Sequence, residues 1–257
     1  MILGLVTYQL GQAMDLPTLL ETCRRTGFET VELRTTHAHG VELGLSEAAQ
    51  QEVRTRFEDS GVSLWGLGTT CEYHSPDPAV VAANIEETKR WCELAAHVGA
   101  RGVKVRPNGL PADVPAHQTA TQIGVALAEC GRAAADAGVQ IYLEVHGGGG
   151  SARPAVIRDI MLACDHPSVG VCWNSNNTAD EVVDGSIADR FALVAPWINS
   201  CHITELTNSY PWRELFALLQ ANGYEGATLA ETAASSDPAR VMSYYRALWQ
   251  AYQPPAV

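Results

Sequence analysis

The chain has 257 residues, of which 46% are hydrophobic and 18% are charged, so a sizeable core can form and general disorder is excluded. No run approaches the ~18 consecutive apolar residues of a membrane-spanning helix. The formal net charge of −12 argues against a nucleic-acid partner, because phosphate binding requires clustered lysine and arginine. A small polar metabolite is the favoured partner, and the sequence leaves open whether the protein forms a homo-oligomer.

The cysteine content favours a cytoplasmic protein. The seven cysteines are an odd number and include no CxxC pair, which suits reduced thiols better than a disulfide framework or a thiolate zinc site. At the N-terminus no basic region precedes the apolar stretch, and Thr7 and Gln9 interrupt it. We therefore expect a first β-strand there and no signal peptide.

One unit recurs along the chain: an amphipathic helix, a glycine and a short β-rich run. A glycine just past a helix end adopts the left-handed conformation without a Cβ penalty. The glycines of this unit are Gly27, Gly61, Gly99, Gly138 and Gly223. Their spacings are 34, 38, 39 and 85 residues, and the last is about two units. Apolar runs around 168–174 and 197–203 fill that double interval, and with the N-terminal run they bring the predicted strands to eight.

Predicted helices separate these strands, for example over 84–98, where Ile85, Trp91, Leu94 and Val98 share one face. Alternating strands and helices imply a parallel sheet. Eight units of roughly 32 residues predict a single (β/α)8 TIM barrel that forms one domain over residues 1–257. The rival doubly wound sheet requires a glycine-rich phosphate loop after the first strand, which this sequence does not supply.

Candidate ligands for a metal ion stand at the ends of four consecutive strands. They are Glu144, Asn174, His202 and Glu231. The carboxyl ends of barrel strands carry the active site, and strand alternation places these four side chains inward. Oxygen ligands plus one imidazole suit one divalent metal ion. Mn²⁺ or Mg²⁺ is the favoured ion, and Co²⁺ or Zn²⁺ is also compatible with these ligands.

The order of these four residues, in the runs LEVHGG, VCWN, CHIT and LAE, resembles the xylose-isomerase-like sugar phosphate isomerases and epimerases. That family includes tagatose/psicose 3-epimerases, hydroxypyruvate isomerases and inosose dehydratases. The resemblance implies that Glu144 and Glu231 bind the metal and also move a proton on opposite faces of the sugar. The metal would stabilise an ene-diolate as the proton α to a carbonyl leaves.

The sequence departs from the family pattern at three places. The family usually has Asp where Asn174 stands and His where Asn177 stands, and its epimerases carry an Arg shortly after the strand-seven His. With Asn174 in place of Asp, only two carboxylates face the ion. Their two negative charges cancel the 2+ charge of the ion, so the ion and its ligands together are neutral. These changes point toward a lyase branch or a weakened site as alternatives to a simple ketose epimerase.

Four further residues are predicted to bind substrate: His146, Arg106, Lys104 and Asn177. His146 follows Glu144 by two residues on the same face. Lys104 and Arg106 share a face of strand four, and a charge inside a barrel needs a partner or a ligand. Glu32 is the alternative, purely structural partner for Lys104. The glycine run 147–150 is interpreted as a flexible loop or a lid. Three tryptophans are expected to pack in the protein interior, and stacking on a sugar ring is the alternative: Trp65, Trp173 and Trp212.

Four functions follow from these patterns. The first is a metal-dependent isomerase or epimerase of a keto sugar or related polyol. The second is a lyase or dehydratase that shares the enolate-forming step and then expels a β-substituent. The third is a non-catalytic sugar-binding barrel, motivated by Asn174 and Asn177. An apurinic-site endonuclease is disfavoured, because that family's extra histidines at the ends of strands three and four are missing.

Overall fold

The computed structural model describes residues 1–107, 109–146 and 149–255. Eight parallel strands close into a barrel in chain order, with β1 paired to β8. The strands are β1 (Ile2–Val6), β2 (Thr30–Arg34), β3 (Ser63–Gly68), β4 (Gly102–Val105), β5 (Gln140–Glu144), β6 (Val169–Asn174), β7 (Ile198–Ile203) and β8 (Ala227–Ala230). The helices are α1 (Leu16–Thr26), α2 (Glu47–Ser60), α3 (Pro78–Val98), α4 (Ala116–Ala137), α5 (Pro154–Cys164), α6 (Ala188–Ala192), α7 (Trp212–Ala221) and α8 (Pro238–Tyr252). The predicted (β/α)8 barrel is confirmed.

Capping residues determine where the helices begin and end. The Asp15 side chain accepts the Thr18 backbone N–H at 2.9 Å and starts α1. All five glycines predicted to close helices have φ between 70° and 79°, in the left-handed region. Helix α3 begins six residues before the predicted 84, because Asp77 caps it and Pro78 occupies its first turn. No helix among the described residues is long and apolar enough to cross a membrane.

Aromatic side chains fill the barrel interior below the strand ends. The rings of Trp65 and Tyr142 stack with centroids 6.1 Å apart, and Trp65 Nε1 donates to Ser200 Oγ at 3.0 Å. The Arg101 guanidinium, which precedes β4, lies 5.1 Å from the Trp65 ring centroid. This stack closes the amino-terminal half of the barrel, so space for a ligand lies at the carboxyl ends of the strands.

The other two tryptophans of interest also pack. Trp173 is fully buried and its Nε1 donates to the Tyr210 hydroxyl at 3.1 Å. The Trp212 ring lies 4.6 Å from the Tyr210 ring, and its Nε1 donates to Asn208 Oδ1. The packing interpretation therefore holds for both, as it does for Trp65.

Candidate metal centre and mouth cavity

The four predicted ligands meet at one place because neighbouring strands end together. Glu144 is the last residue of β5 and Asn174 the last of β6, while His202 lies one residue before the end of β7. Asn174 and His202 are register partners across β6 and β7. Glu231 directly follows β8 and its backbone N–H donates to β7. The sheet register thus brings all four side chains to the barrel mouth.

Three of these side chains form a compact cluster that suits a cation. Glu144, His202 and Glu231 each present one ligand atom, and these atoms lie within 4.8 Å of one another. His202 Nδ1 is 3.2 Å from Glu144 Oε1 and 3.7 Å from Glu231 Oε2. This nitrogen is buried and has no hydrogen-bond partner among the described residues. A ring nitrogen facing two carboxylates fits a divalent ion with mixed oxygen and imidazole ligands.

Asn174 adjoins this cluster through Glu144. Its Nδ2 donates to Glu144 Oε1 at 3.1 Å, and the side chain is 5% exposed. In this rotamer the amide nitrogen faces the cluster, and nitrogen of an amide does not ligate metals. A half-turn about the last side-chain bond presents Oδ1 at the same place. The position suits a fourth ligand, and metal ligation by Asn174 remains a prediction.

Two buried ion pairs surround the cluster, and they correct one expectation. Lys104 Nζ lies 2.9 Å from Glu144 Oε2, with side chains 4% and 2% exposed. Glu32 was one of two alternatives for the partner of Lys104, the other being substrate, but it pairs instead with His202, whose Nε2 lies 3.1 Å from Glu32 Oε2. Burial lowers the pKa of the His202 imidazole, but Cys172 and Glu32 outweigh burial and hold it well above its usual value. Because Nε2 faces Glu32, Nδ1 is the ring nitrogen that would exchange its proton for a metal ion. Glu32 is therefore part of the site.

These contacts perturb the protonation of the cluster. Burial raises the pKa of the Glu144 carboxyl, but Lys104 and His202 outweigh burial and hold it well below its usual value. Burial also raises the pKa of Glu231, and it stays raised because Glu144 adds negative charge nearby while His202 opposes it. Burial lowers the pKa of the His146 imidazole, with Lys104 and Arg106 adding to that effect against Glu144. The two carboxylates of the cluster are therefore not equivalent.

The cavity above the cluster has two adjoining chambers. The outer chamber has a volume of about 370 Å³, and amide and hydroxyl side chains dominate its wall: Gln9, Asn174, Asn176, Thr204 and Thr232. The inner chamber has a volume of about 120 Å³ and lies against the metal cluster, with charged side chains in its wall: Arg34, Lys104, Arg106, Glu144 and His202. Tyr8, His146 and Glu231 line both chambers. This combination suits a small polyhydroxylated molecule.

The predicted substrate residues are divided between cavity and surface. His146, Lys104 and Arg106 line the inner chamber. Asn177 lies outside both chambers, is exposed, and donates through Nδ2 to Ser209 Oγ. Asn176 lines the outer chamber instead, and its Nδ2 also donates to Val145 O at 2.6 Å. Of the predicted glycine loop, residues 147 and 148 lie outside the described residues.

Sequence comparison assigns the family. Residues 20–248 match the family model described as xylose isomerase-like TIM barrel. The chain belongs to this family. A comparison of this xylose isomerase-like chain with curated proteins finds no match.

Solved structures share the fold of this xylose isomerase-like barrel. The 3-keto-D-glucoside 4-epimerase YcjR from E. coli matches with a TM-score of 0.80 at 16% identity, covering 98% of this chain and 99% of that one. The IOLI protein with a bound zinc atom matches with a TM-score of 0.79 at 15% identity, covering 98% of this chain and 96% of that one. The probable 3-DHS dehydratase AsbF from Bacillus anthracis matches with a TM-score of 0.71 at 15% identity, covering 97% of this chain and 99% of that one. At these identities the likeness shows a common fold.

Proposed function

We propose that this protein is a metal-dependent enzyme that isomerises or epimerises a keto sugar or related polyol by removing a proton α to a carbonyl. The observation that carries the proposal is the Glu144–His202–Glu231 cluster, whose His202 Nδ1 has no hydrogen-bond partner among the described residues and which lines the inner chamber of a polar cavity. A divalent ion held there would polarise the carbonyl and hydroxyl oxygens of the substrate. The E. coli structure of the same fold is described as a keto-sugar epimerase, which agrees with this reaction class.

Glu231 is the stronger candidate for proton transfer. Its side chain is 21% exposed and lines both chambers, so a substrate in either chamber reaches it. Glu144 is 2% exposed, and Lys104 occupies its Oε2 while Asn174 and His202 lie at its Oε1. We therefore assign the first proton abstraction to Glu231. Glu144, held ionised by Lys104, serves mainly as a ligand and acts second on the opposite face.

His146 is placed to position the substrate. It lines both chambers, and its buried Nδ1 has no hydrogen-bond partner among the described residues. It lies two residues beyond Glu144, and its backbone N–H donates to the Glu144 carbonyl. A neutral imidazole there can donate to or accept from a substrate hydroxyl.

A lyase reaction on the same scaffold is the second candidate. Both reactions begin with the same proton abstraction, and only the fate of the enolate separates them. Glu205, three residues after His202, lines the outer chamber in the region where the resembling epimerases carry an arginine. A carboxyl group in that region suits protonation of a departing hydroxyl. The dehydratase of the same fold agrees with this alternative.

Isotope exchange tests the proposal. The purified protein is analysed for metal and then incubated in D2O with keto sugars, inososes and 3-keto glycosides. Deuterium incorporation with a retained carbon skeleton is expected for an isomerase or epimerase, and loss of a substituent for a lyase. A protein that binds no divalent ion and exchanges no proton with any of these compounds would contradict both functions and favour the non-catalytic barrel.

A further inference from the structure

The inner chamber concentrates positive charge in a protein that is otherwise acidic. The chain has 17 Lys and Arg residues against 29 Asp and Glu, yet three cationic side chains line this one chamber: Arg34, Lys104 and Arg106. Lys104 is neutralised by Glu144 at 2.9 Å. The two arginines are not: among the described residues, neither guanidinium lies within 4.0 Å of a carboxylate.

The described residues offer the two guanidinium groups few hydrogen-bond acceptors. Among them, Arg34 Nη1 reaches the neighbouring Thr35 carbonyl, at 3.3 Å. Arg106 Nε is buried without a partner in the described part of the chain. Both side chains are half-buried at the ends of β2 and β4. The chamber therefore presents guanidinium donors whose acceptors the described residues do not supply, and an oxyanion of a ligand could supply them.

The charge balance of the chamber favours an anionic ligand. Three carboxylates belong to the site: Glu144 and Glu231 in the cluster, and Glu32 behind His202. They balance Lys104 and the two arginines, so a divalent ion leaves the chamber with two excess positive charges. The negative charges on the protein surface weaken the attraction of an anion to the chamber only slightly, because exposed charges farther away than about 8 Å are largely screened at physiological salt.

The size of the chamber limits what the arginines can bind. Its volume of about 120 Å³ is about a third of the 370 Å³ of the outer chamber, so the small charged end of a ligand fits the inner chamber better than its larger polyol part does. A guanidinium presents a planar fork of donors that matches such oxyanions in a bidentate manner. The sugar body would occupy the outer chamber, among Asn176, Thr204 and Thr232.

We propose that the substrate is an acidic polyol, a sugar acid or sugar phosphate, whose anionic group enters the inner chamber and is held by Arg34 and Arg106. This inference rests on the proposed function, because it places the reacting carbons over the same metal cluster. It deepens that function by naming the charge of the substrate. The ligand chemistry is the oxyanion, and the experiment below distinguishes carboxylate from phosphate.

Calorimetric binding to the metal-loaded protein tests this inference separately from catalysis. The probes are D-sorbitol, D-gluconate and D-sorbitol 6-phosphate, which contain no ketone or aldehyde group and therefore cannot undergo the proposed reaction of a keto sugar. We expect gluconate or sorbitol 6-phosphate to bind at least tenfold more tightly than sorbitol, and the preferred anion identifies the group. Equal affinities for all three, or no measurable binding of either anion, would overturn the proposal.

Arginine variants distinguish the contribution of the guanidinium groups to anion affinity from the contribution of direct binding of the anion to the metal ion. The double variant Arg34→Gln/Arg106→Gln should lose tenfold or more of the anion affinity and keep its metal content. The single Arg→Lys variants, which keep the charge but lose the fork, should be intermediate. Arg90→Gln, at an exposed position of α3, is the control and should bind like the wild type. An undiminished anion preference in the folded double variant would refute the assignment, whatever the outcome of the D2O exchange.

Discussion

His202 Nε2 lies 3.1 Å from Glu32 Oε2, and both side chains are almost completely buried. These residues are 170 positions apart in sequence and come from β7 and β2. A carboxylate behind a ligating imidazole fixes its tautomer, orients its ring and raises its basicity. If His202 binds a metal ion, Glu32 would therefore act on that ion through His202 without touching it.

The Glu32→Gln variant should bind divalent metal more weakly. Outer-sphere partners of this kind are typically worth about 10–100-fold in metal affinity, and a neutral amide oxygen is a poorer acceptor for the imidazole N–H. Chelator competition measures the dissociation constant. Glu29→Gln, an exposed change just before β2, is the matched control. Equal dissociation constants in the two variants would remove Glu32 from the site.

The contribution of Glu32 shows that the sequence predicts which side chains point into the barrel but not which of them pair with one another. Strand alternation correctly turned Glu32, Lys104, Glu144 and His202 into the barrel. It could not assign partners, because four strands direct side chains into one narrow space and the pairing depends on the stagger of the strands. Lys104 consequently meets Glu144 across adjacent β4 and β5, while Glu32 reaches His202 across the barrel.

The two asparagines after β6 show a different limit. The family resemblance favoured Asn177 as a substrate residue, and Asn176 was not predicted from the sequence although it lies two residues beyond Asn174. The structure places Asn176 at the cavity and Asn177 at the surface. A position inherited by resemblance is weak evidence in a loop, because loop length and conformation vary while strand register does not. The helix ends, by contrast, were readable from glycines such as Gly99, whereas the start of α3 at the Asp77 cap was predicted six residues too late.

The unequal surroundings of the two carboxylates predict unequal variants. Glu231→Gln should lower the rate of deuterium exchange by about 10²–10⁴-fold, the contribution typical of a general base. Glu144→Gln should chiefly weaken metal binding, because it removes the negative charge that Lys104 and His202 face. The readouts are kcat at saturating metal and the metal dissociation constant. Glu225→Gln, exposed just before β8, is the control. Full activity of Glu231→Gln at saturating metal would exclude it as the base.

Replacing Asn174 with Asp should tighten the metal site. The added charge attracts a divalent ion by several kcal/mol at ligand distance and an effective dielectric near 20, before desolvation offsets much of this. Without metal, the new carboxylate stands about 3 Å from Glu144 Oε1, where Asn174 now donates, and repels it. The variant should thus be less stable than the wild type with chelator and gain more in Tm on adding metal.

Turnover should respond in the opposite direction. A metal ion with one more anionic ligand is a weaker Lewis acid, so Asn174→Asp should hold the ion more tightly and turn over the native substrate more slowly. Chelator competition and a metal-dependent thermal shift measure the first effect. An unchanged metal affinity would place Asn174 outside the coordination sphere and leave Glu144, His202 and Glu231 as the protein ligands.

A further buried carboxyl group lies beside the mouth, with no cationic side chain of the described residues within ion-pair distance. Glu181 is 1% exposed; Tyr210 donates its hydroxyl to Oε1 at 2.5 Å, and Asn176 Nδ2 donates to Oε2 at 3.2 Å. Burial raises the pKa of Glu181 to about 8, although these hydrogen bonds lower it. Glu181 therefore links the outer chamber, through Asn176, to the packing of Trp173 on Tyr210.

The raised pKa of Glu181 makes stability depend on pH in a defined direction. The folded protein holds this proton more tightly than the unfolded chain, whose carboxyl has a pKa near 4.5. The resulting stabilisation is fully present below about pH 4.5 and is lost as pH rises toward 8. A shift of that size corresponds to roughly 3–5 kcal/mol. Glu181→Gln, which cannot ionise, should therefore gain stability relative to the wild type as pH rises.

Urea unfolding between pH 5 and pH 9, with chelator present throughout, measures this effect. The difference in unfolding free energy between wild type and Glu181→Gln isolates Glu181, because every other titrating group is common to both proteins. That difference should shift by several kcal/mol in favour of the variant across the range, even if the amide fits Asn176 imperfectly and lowers stability at pH 5. Asp180→Asn, at the exposed neighbouring position, should show no such slope. A difference that stays constant with pH would mean that Glu181 is ionised in the folded protein at neutral pH.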